Sequence, residues 1–170
     1  MQAHPTITIT RAALADLPAL LAIQKEAFQS EAERYGDCTI TQLTETLAEV
    51  QAAHADPATV ILKAEINNVP VGAIRVTRHG DTCEVGRLCV APRHQRQGIG
   101  TALLLACETI FPETRVCELF AGSKSTDNIH LYEHLGYRRI KEFIFPDFPK
   151  ITVVHFQKPI AASALLTPDS

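Results

Sequence analysis

"RHQRQGIGTALLLACE", residues 93–108, carries two arginines, two glutamines and two glycines straight into an apolar, helix-forming run. The first-turn N–H groups of a helix have no internal partners, and the helix dipole adds positive potential there. Glycines let backbone approach a ligand closely. The segment Gln95-Arg96-Gln97-Gly98-Ile99-Gly100 therefore has the chemistry of a nest for phosphate oxygens, and Arg93 and Arg96 raise the local potential further. Taken alone, the same letters also describe a glycine-containing turn with solvated arginines. The surroundings have to decide.

Immediately upstream, VILKAEI (60–66), VGAIRVT (71–77) and CEVGRLCV (83–90) read as three strands. Asn67-Asn68 and His79-Gly80-Asp81 supply turn chemistry between them, which predicts antiparallel hairpins. Further back, ITIT (7–10) alternates as a short strand. Asp16 ahead of Pro18 opens a helix whose apolar positions are Leu14, Leu17, Leu21 and Phe28, and YGDC (35–38) breaks it. A second amphipathic helix carries Ile40, Leu43, Leu47 and Val50 and ends at Asp56-Pro57. Downstream come a helix over 98–110, a strand over 115–121, a short helix over 126–135, and strands near 138–145 and 150–157. The tail PIAASALLTPDS has no amphipathic pattern. With no repeat or linker, the expectation is a single domain over 1–158 and a loose tail over 159–170.

Composition agrees with a globular domain. Of 170 residues, 46% are hydrophobic and 21% charged, enough for a sizeable core. A net charge of −3 speaks against non-specific binding to nucleic acid or anionic membrane. No signal-peptide pattern opens the chain, and ALLLA is far too short to span a bilayer. The five cysteines are odd in number and form no CxxC, so neither a disulfide framework nor a thiolate zinc site is expected; a reducing cytoplasm is the natural home.

VGRLCVAPRHQRQGIGTALL resembles, over its whole length, the acyl-CoA-binding motif of the GNAT superfamily of N-acyltransferases. Gln95, Gly98 and Gly100 meet that family's loop pattern. NIHLYEHLGY (128–137) is similar to a second family motif, with its Asn, Tyr, Gly and Tyr in place. The resemblance covers residues 59–157 well and the first two helices loosely. It implies a mixed α/β fold: a central, mostly antiparallel sheet of about seven strands flanked by about four helices. It also implies acetyl-CoA as cosubstrate and direct transfer of the acetyl group to an amine. The strand end Leu88, Cys89 and Val90 would pair its backbone with the pantetheine arm. Gln95, Arg96, Gln97, Gly98, Ile99, Gly100 and Thr101 would hold the pyrophosphate, with Asn128 and Tyr132 completing the coenzyme site.

Two other motifs compete. Gly98-Ile99-Gly100 begins a dinucleotide-binding GxGxxG, with Glu118 near the place of a ribose-binding acid. Leu103 occupies the third glycine position, however, and hairpins precede the loop where parallel crossovers belong. His130-Leu131-Tyr132-Glu133-His134 is a literal HxxEH, the inverted zinc-peptidase signature. At about 100° per residue, Asn128, Leu131, Tyr132 and Leu135 share one face and His130, Glu133 and His134 look the other way. That pair reads as surface, and no metal site is expected.

Acyl transfer to an amine needs a neutral nitrogen, a polarised thioester carbonyl and a proton for the departing thiolate. Glu84, in an otherwise apolar strand where many family members carry a general base, is the candidate for the first; it reads equally as a strand glutamate in a salt bridge. Backbone amides near Cys89 and Val90 are candidates for the second. Tyr132 can protonate the thiolate, or pack in the core beside Leu131. Asn128 would orient the pantetheine amides or cap the helix, where Thr126 and Asp127 compete. An acetyl-cysteine relay through Cys89 lacks an adjacent histidine, and by simple alternation Cys89 faces away from Glu84 unless a bulge intervenes. Lys124 reads as a phosphate contact or as a solvated lysine. Glu26, Glu31, Glu33, Asp37, Glu45, Glu49 and Asp147 would form an acidic rim suited to a cationic amine, or a solvated face. A non-catalytic acyl-CoA-binding sensor is the alternative to the enzyme, and a homodimer is left open.

Overall fold

Strand β2 (Thr59–Ile66) and strand β3 (Val69–His79) are joined by Asn67 and Asn68, both at positive φ (51° and 64°), the backbone of a two-residue hairpin turn. Strand β4 (Thr82–Val90) follows through the turn at Gly80, and β1 (Ile7–Arg11) pairs antiparallel with β2, so the expected hairpins form. The computed structural model describes residues 4–160, and the expected tail lies outside these residues except for Pro159, which ends β7, and Ile160, whose N–H reaches the Arg115 carbonyl at 2.9 Å.

Strands β5 (Val116–Gly122), β6 (Arg138–Ile144) and β7 (Thr152–Pro159) complete a seven-stranded sheet in the order β1-β2-β3-β4-β5-β7-β6. Every pairing is antiparallel except β4 with β5. Helices cover both faces, which is why β2 is buried along nearly its whole length instead of alternating. On one face α4 (Ile99–Cys107) and α5 (Thr126–His134) pack over Ile74, Val76, Leu119 and Phe156. On the other, α1 (Leu17–Tyr35) and α3 (Leu47–Ala55) cover Ile61, Ala73 and Cys89 through Leu17, Leu20, Ile23 and Val50.

The expected second helix is broken. The turn α2 (Thr41–Thr44) stops at Glu45, and α3 starts afresh. Thr46 accepts the Glu49 N–H at 3.2 Å while the Glu49 carboxylate accepts the Thr46 N–H at 2.7 Å, a reciprocal cap that makes five helices of the expected four. The Thr-x-x-Glu spacing was the available signal; the apolar periodicity running across it concealed the break. Among the described residues, no helix is long and apolar enough to cross a membrane.

A β-bulge in β4 shapes everything that follows. Ala73 pairs with Cys89 and Arg75 with Gly86, so Arg87 and Leu88 together oppose the single residue Ile74. Arg87 takes φ 54° to make the extra step. Simple alternation is thereby reset: Cys89 returns to the α1 face, the face of Glu84 and Gly86, and the expectation that it faces away from Glu84 is corrected. The side chain of Arg87 is tied down by Glu45 at 3.3 Å, and the same carboxylate accepts from Arg75 at 2.8 Å and from Gln24 at 2.8 Å.

Candidate active site

Strands β4 and β5 run in register only from Thr82–Val85 against Val116–Leu119. Beyond Val85 they part, and β4 from Gly86 onward has no strand partner on that side. The opening holds two cavities set end to end. One, of about 420 Å³, is lined by Leu88, Cys89, Val90 and the loop that leads into α4. The other, of about 270 Å³, is lined by Glu84 and Tyr132. Phe28, Glu31, Leu88, Ser125 and Asn128 belong to both walls, so the two meet at the middle of the cleft.

The larger cavity receives the expected loop. Gly98 takes the left-handed conformation (φ 83°) at the N-cap of α4, and the first intrahelical bond is Ala102 N–H to the Gly98 carbonyl at 3.0 Å. The N–H groups of Ile99, Gly100 and Thr101 are left to a ligand. Gln95 donates to the Val90 carbonyl at 3.1 Å and so ties the loop to the end of β4. Arg96, exposed, approaches Asp127 at 3.7 Å. Of the loop residues expected at the coenzyme, Gln95, Arg96, Gly98, Ile99, Gly100 and Thr101 line the cavity; Gln97 is exposed and does not. His94, which the motif does not single out, does line it.

Gly72 is a residue the sequence reading missed. A β-carbon there would lie 2.7 Å from the Cys89 carbonyl and 3.3 Å from Leu103, because β3 runs close beside the end of β4 and beneath the start of α4. Overpacking of this kind costs about 1–3 kcal/mol. Gly72→Ala is therefore expected to lower the melting temperature and to displace the β4 backbone, weakening acetyl-CoA binding. Gly86→Ala, with open space around its β-carbon, should melt like wild type. Paired thermal melts with and without acetyl-CoA check both.

On α5 the helical wheel holds. Tyr132 is 6% exposed, Asn128, Leu131 and Leu135 are half-buried, and His130, Glu133 and His134 are exposed. Glu133 accepts from Arg139 at 3.0 Å, and among the described residues no three histidine, cysteine or acidic side chains are grouped to hold a metal. The Tyr132 ring packs edge-on against Tyr137 and Phe156. Burial, with the charge of Glu31 acting in the same direction, pushes its phenol above the usual tyrosine value. Tyr35 bonds to Ser125 and Tyr137 to Glu108, whereas the Tyr132 hydroxyl makes no side-chain hydrogen bond among the described residues and lines the cavity.

A directed chain crosses the cleft. Ser125 donates to Glu31 at 2.6 Å, Tyr35 donates to Ser125 at 2.8 Å, and the Lys124 N–H donates to the Tyr35 oxygen at 2.9 Å. Gly122 makes room for it: a β-carbon there would sit 2.0 Å from the Tyr35 hydroxyl. This latch joins the end of α1 to the β5–α5 turn, and only a long-range contact could have revealed it. The side chain of Lys124 is exposed.

Glu84 is exposed at the rim of the smaller cavity, 3.6 Å from His79. Glu118 accepts a hydrogen bond from His155 on the adjacent strand β7 at 3.1 Å and lines neither cavity. Burial holds the Cys89 thiol up at about 12, so the thiolate a relay needs is not available at neutral pH. The acidic rim is partly dismantled: Glu45 is buried in its ion pairs, Glu49 caps α3, and Asp37 accepts from Thr39. Of that rim Glu31 lines the cleft, beside Glu84.

The Acetyltransferase (GNAT) family matches residues 17–137 of this chain. The "Putative acetyltransferase BSU40680" of Bacillus subtilis (strain 168) is 29% identical over 137 residues, covering 80% of this chain and 86% of its own. The ribosomal-protein-S18-alanine N-acetyltransferase of Escherichia coli superposes with a TM-score of 0.73 at 19% identity, over 91% of this chain and 94% of its own. The yncA protein of Salmonella typhimurium, solved with its cofactor acetyl-CoA, superposes with a TM-score of 0.67 at 23% identity, over 96% and 98%. The two solved structures share the fold of this chain. With the family matched across both motifs and the parted strands that carry them, the chain belongs to the GNAT family of acetyltransferases, enzymes that draw their acyl group from acyl-CoA.

Proposed function

We propose that this chain transfers the acetyl group of acetyl-CoA directly to an amine, with the coenzyme in the larger cavity and the amine entering through the smaller one. The observation that carries this reading is the unbonded hydroxyl of Tyr132, lining the cleft close to where the two cavities meet. A hydroxyl that makes no hydrogen bond within the chain and opens on a cleft is free to meet a ligand.

The residues present suit the coenzyme. Free N–H groups at the start of α4 fit a pyrophosphate, and the unpartnered edge of β4 over Leu88, Cys89 and Val90 fits an extended amide chain. Asn128, on the shared wall, would orient that chain. Acetyl-CoA, when bound, supplies an activated acyl thioester. Glu84 takes a proton from the entering ammonium, directly or through water, and passes it to solvent. The backbone amide of Val90, on the side of β4 turned away from β3, faces the carbonyl oxygen as it gains charge. As the N–C bond forms and the C–S bond breaks, Tyr132 gives its proton to the thiolate and is restored by the nitrogen's second proton. Net, one proton ends on the coenzyme sulfur and one in solvent. The cleft is complete within one chain, which is compatible with a homodimer and requires none. A reducing cytoplasm, with neither nucleic acid nor membrane as partner, suits the charge and the free cysteines.

Calorimetric titration with acetyl-CoA, beside dephospho-CoA, NAD and zinc, tests the site. Selective binding of acetyl-CoA is expected. Gly98→Glu should abolish it, because a carboxylate at the N-cap of α4 meets the pyrophosphate head on. Undiminished affinity in that variant would remove the loop from the coenzyme site, and turnover with no amine would leave a binding protein in place of an enzyme.

A further inference from the structure

The smaller cavity has a composition of its own. The chain has seven phenylalanines, and four of them, Phe28, Phe120, Phe145 and Phe148, line this one space. Phe143 backs them, its ring 6.0 Å from Phe120 and 4.7 Å from Phe145. Phe120 lies stacked on His155 at 4.7 Å, which holds its face to the cavity side of β5. These rings are not core: Phe120 is 37% exposed and Phe145 41%, while Phe156 on the opposite face of the sheet is fully buried. Large apolar groups gathered and left open inside a cleft mark a binding surface.

The charges of the same wall are Glu31, Glu84 and Arg87. Arg87 is already engaged by Glu45 at 3.3 Å. Glu31 is engaged too, by Arg34 and by Ser125 at 2.6 Å. Glu84 is the open carboxylate, facing only His79 at 3.6 Å. One free anion beside a wall of aromatic rings suits a single ammonium group joined to an apolar body, since the carboxylate attracts the cation and the rings take the apolar surface out of water. Among the described residues that line this cavity, no free cation stands ready to receive a carboxylate or phosphate on the same molecule.

We infer that the acceptor is a small primary monoamine bearing an aromatic or bulky aliphatic group, seated with its apolar part on Phe120, Phe145 and Phe148 and its nitrogen toward Glu84. This rests on the transferase reading above and names its substrate class. A free amino acid is disfavoured because its carboxylate would enter the site of Glu84. A polyamine is disfavoured because its further ammonium groups would have to leave water for a phenylalanine wall.

The test measures thiol release from acetyl-CoA with 2-phenylethylamine, ethylamine, phenylalanine, spermidine and a short peptide with a free N-terminus, alongside acetyl-CoA titration of the same preparation. Burying a phenyl group makes 2-phenylethylamine better than ethylamine in kcat/KM by on the order of 100-fold. Phenylalanine and spermidine should trail it by a similar factor. Phe120→Ala should bring the ratio between the two simple amines below tenfold, with acetyl-CoA affinity kept as the sign of an intact fold. Equal use of ethylamine, or faster use of spermidine or the peptide, overturns the acceptor class while the transferase stands. Binding of acetyl-CoA with no turnover of any of these amines overturns it as well. Failure to bind acetyl-CoA in a folded protein overturns both readings together.

Discussion

Replacing Tyr132 by phenylalanine is expected to lower kcat roughly 100-fold or more, the scale of one general acid, while leaving acetyl-CoA affinity and the melting temperature close to wild type. The substitution is unusually clean. The hydroxyl has no hydrogen-bond partner among the described residues, so its loss orphans nothing, and the ring's packing against Tyr137 and Phe156 is kept. A drop in kcat with unchanged coenzyme affinity is what a proton donor predicts and what a packing residue does not. The phenol lies above the usual tyrosine value, raised first by burial and then by Glu31, so it stays protonated across the neutral range. The variant's rate should therefore be low at every pH from about 6 to 9. Unchanged turnover in Tyr132→Phe would make Tyr132 a core residue and leave the thiolate without its donor.

The largest expected effect on stability comes from Glu45→Ala. Glu45 is 7% exposed and holds Arg75, Arg87 and Gln24. Removing one partner of a buried ion pair costs about 3–5 kcal/mol, because the guanidinium groups stay behind uncompensated. In a domain of this size that lowers the melting temperature by roughly 10 °C. Loss of the Arg87 anchor also frees the bulge, so acetyl-CoA affinity should fall with stability, an effect surface substitutions such as Glu26→Ala would lack.

The acid dependence follows with its sign. Burial works to raise the Glu45 carboxyl, but the hydrogen bond and charge of Arg75, with Gln24 and Arg87, outweigh it and hold the group below the usual glutamate value. A carboxylate with a depressed folded value contributes its stability above the unfolded value, about 4.3, and loses it as pH falls through the lower folded one. Wild type should lose this contribution below about pH 4. Glu45→Gln, which never has it, should be less stable at pH 7 and show a shallower acid limb in circular dichroism. Parallel acid limbs would mean that Glu45 carries no such contribution.

What could be read from the residues alone was what they settle locally. Asn67-Asn68 dictates its turn wherever it occurs, the glycines at 98 and 100 determine how α4 begins, and a nine-residue helix with Tyr132 and Leu131 on one side turns its histidines outward. The rest depends on partners far along the chain. Glu45 looks like a surface acid until Arg75 and Arg87, thirty and forty-two residues away, are brought to it. Gly72 and Gly122 look like ordinary strand glycines until the Cys89 carbonyl and the Tyr35 phenol arrive. The bulge leaves almost no mark, because the left-handed step falls on Arg87 and not on its neighbour Gly86. The phenylalanine wall was equally invisible: its rings come from α1, β5 and the β6–β7 turn, and no periodicity connects them.

The extra residue in β4 also makes the strand a ruler. Side chains between Glu84 and Val90 can be exchanged one at a time at the cost of their own contacts. A deletion at Arg87 or Leu88 removes the bulge itself and straightens the strand between Gly86 and Cys89. With Ile74 again facing one residue instead of two, Cys89 would still meet Ala73 and keep the face of α1, but the left-handed step at Arg87 and its anchor on Glu45 would be lost. For this segment, length sets the bend where identity sets the contacts, and a length variant should lose acetyl-CoA affinity where a point variant keeps it.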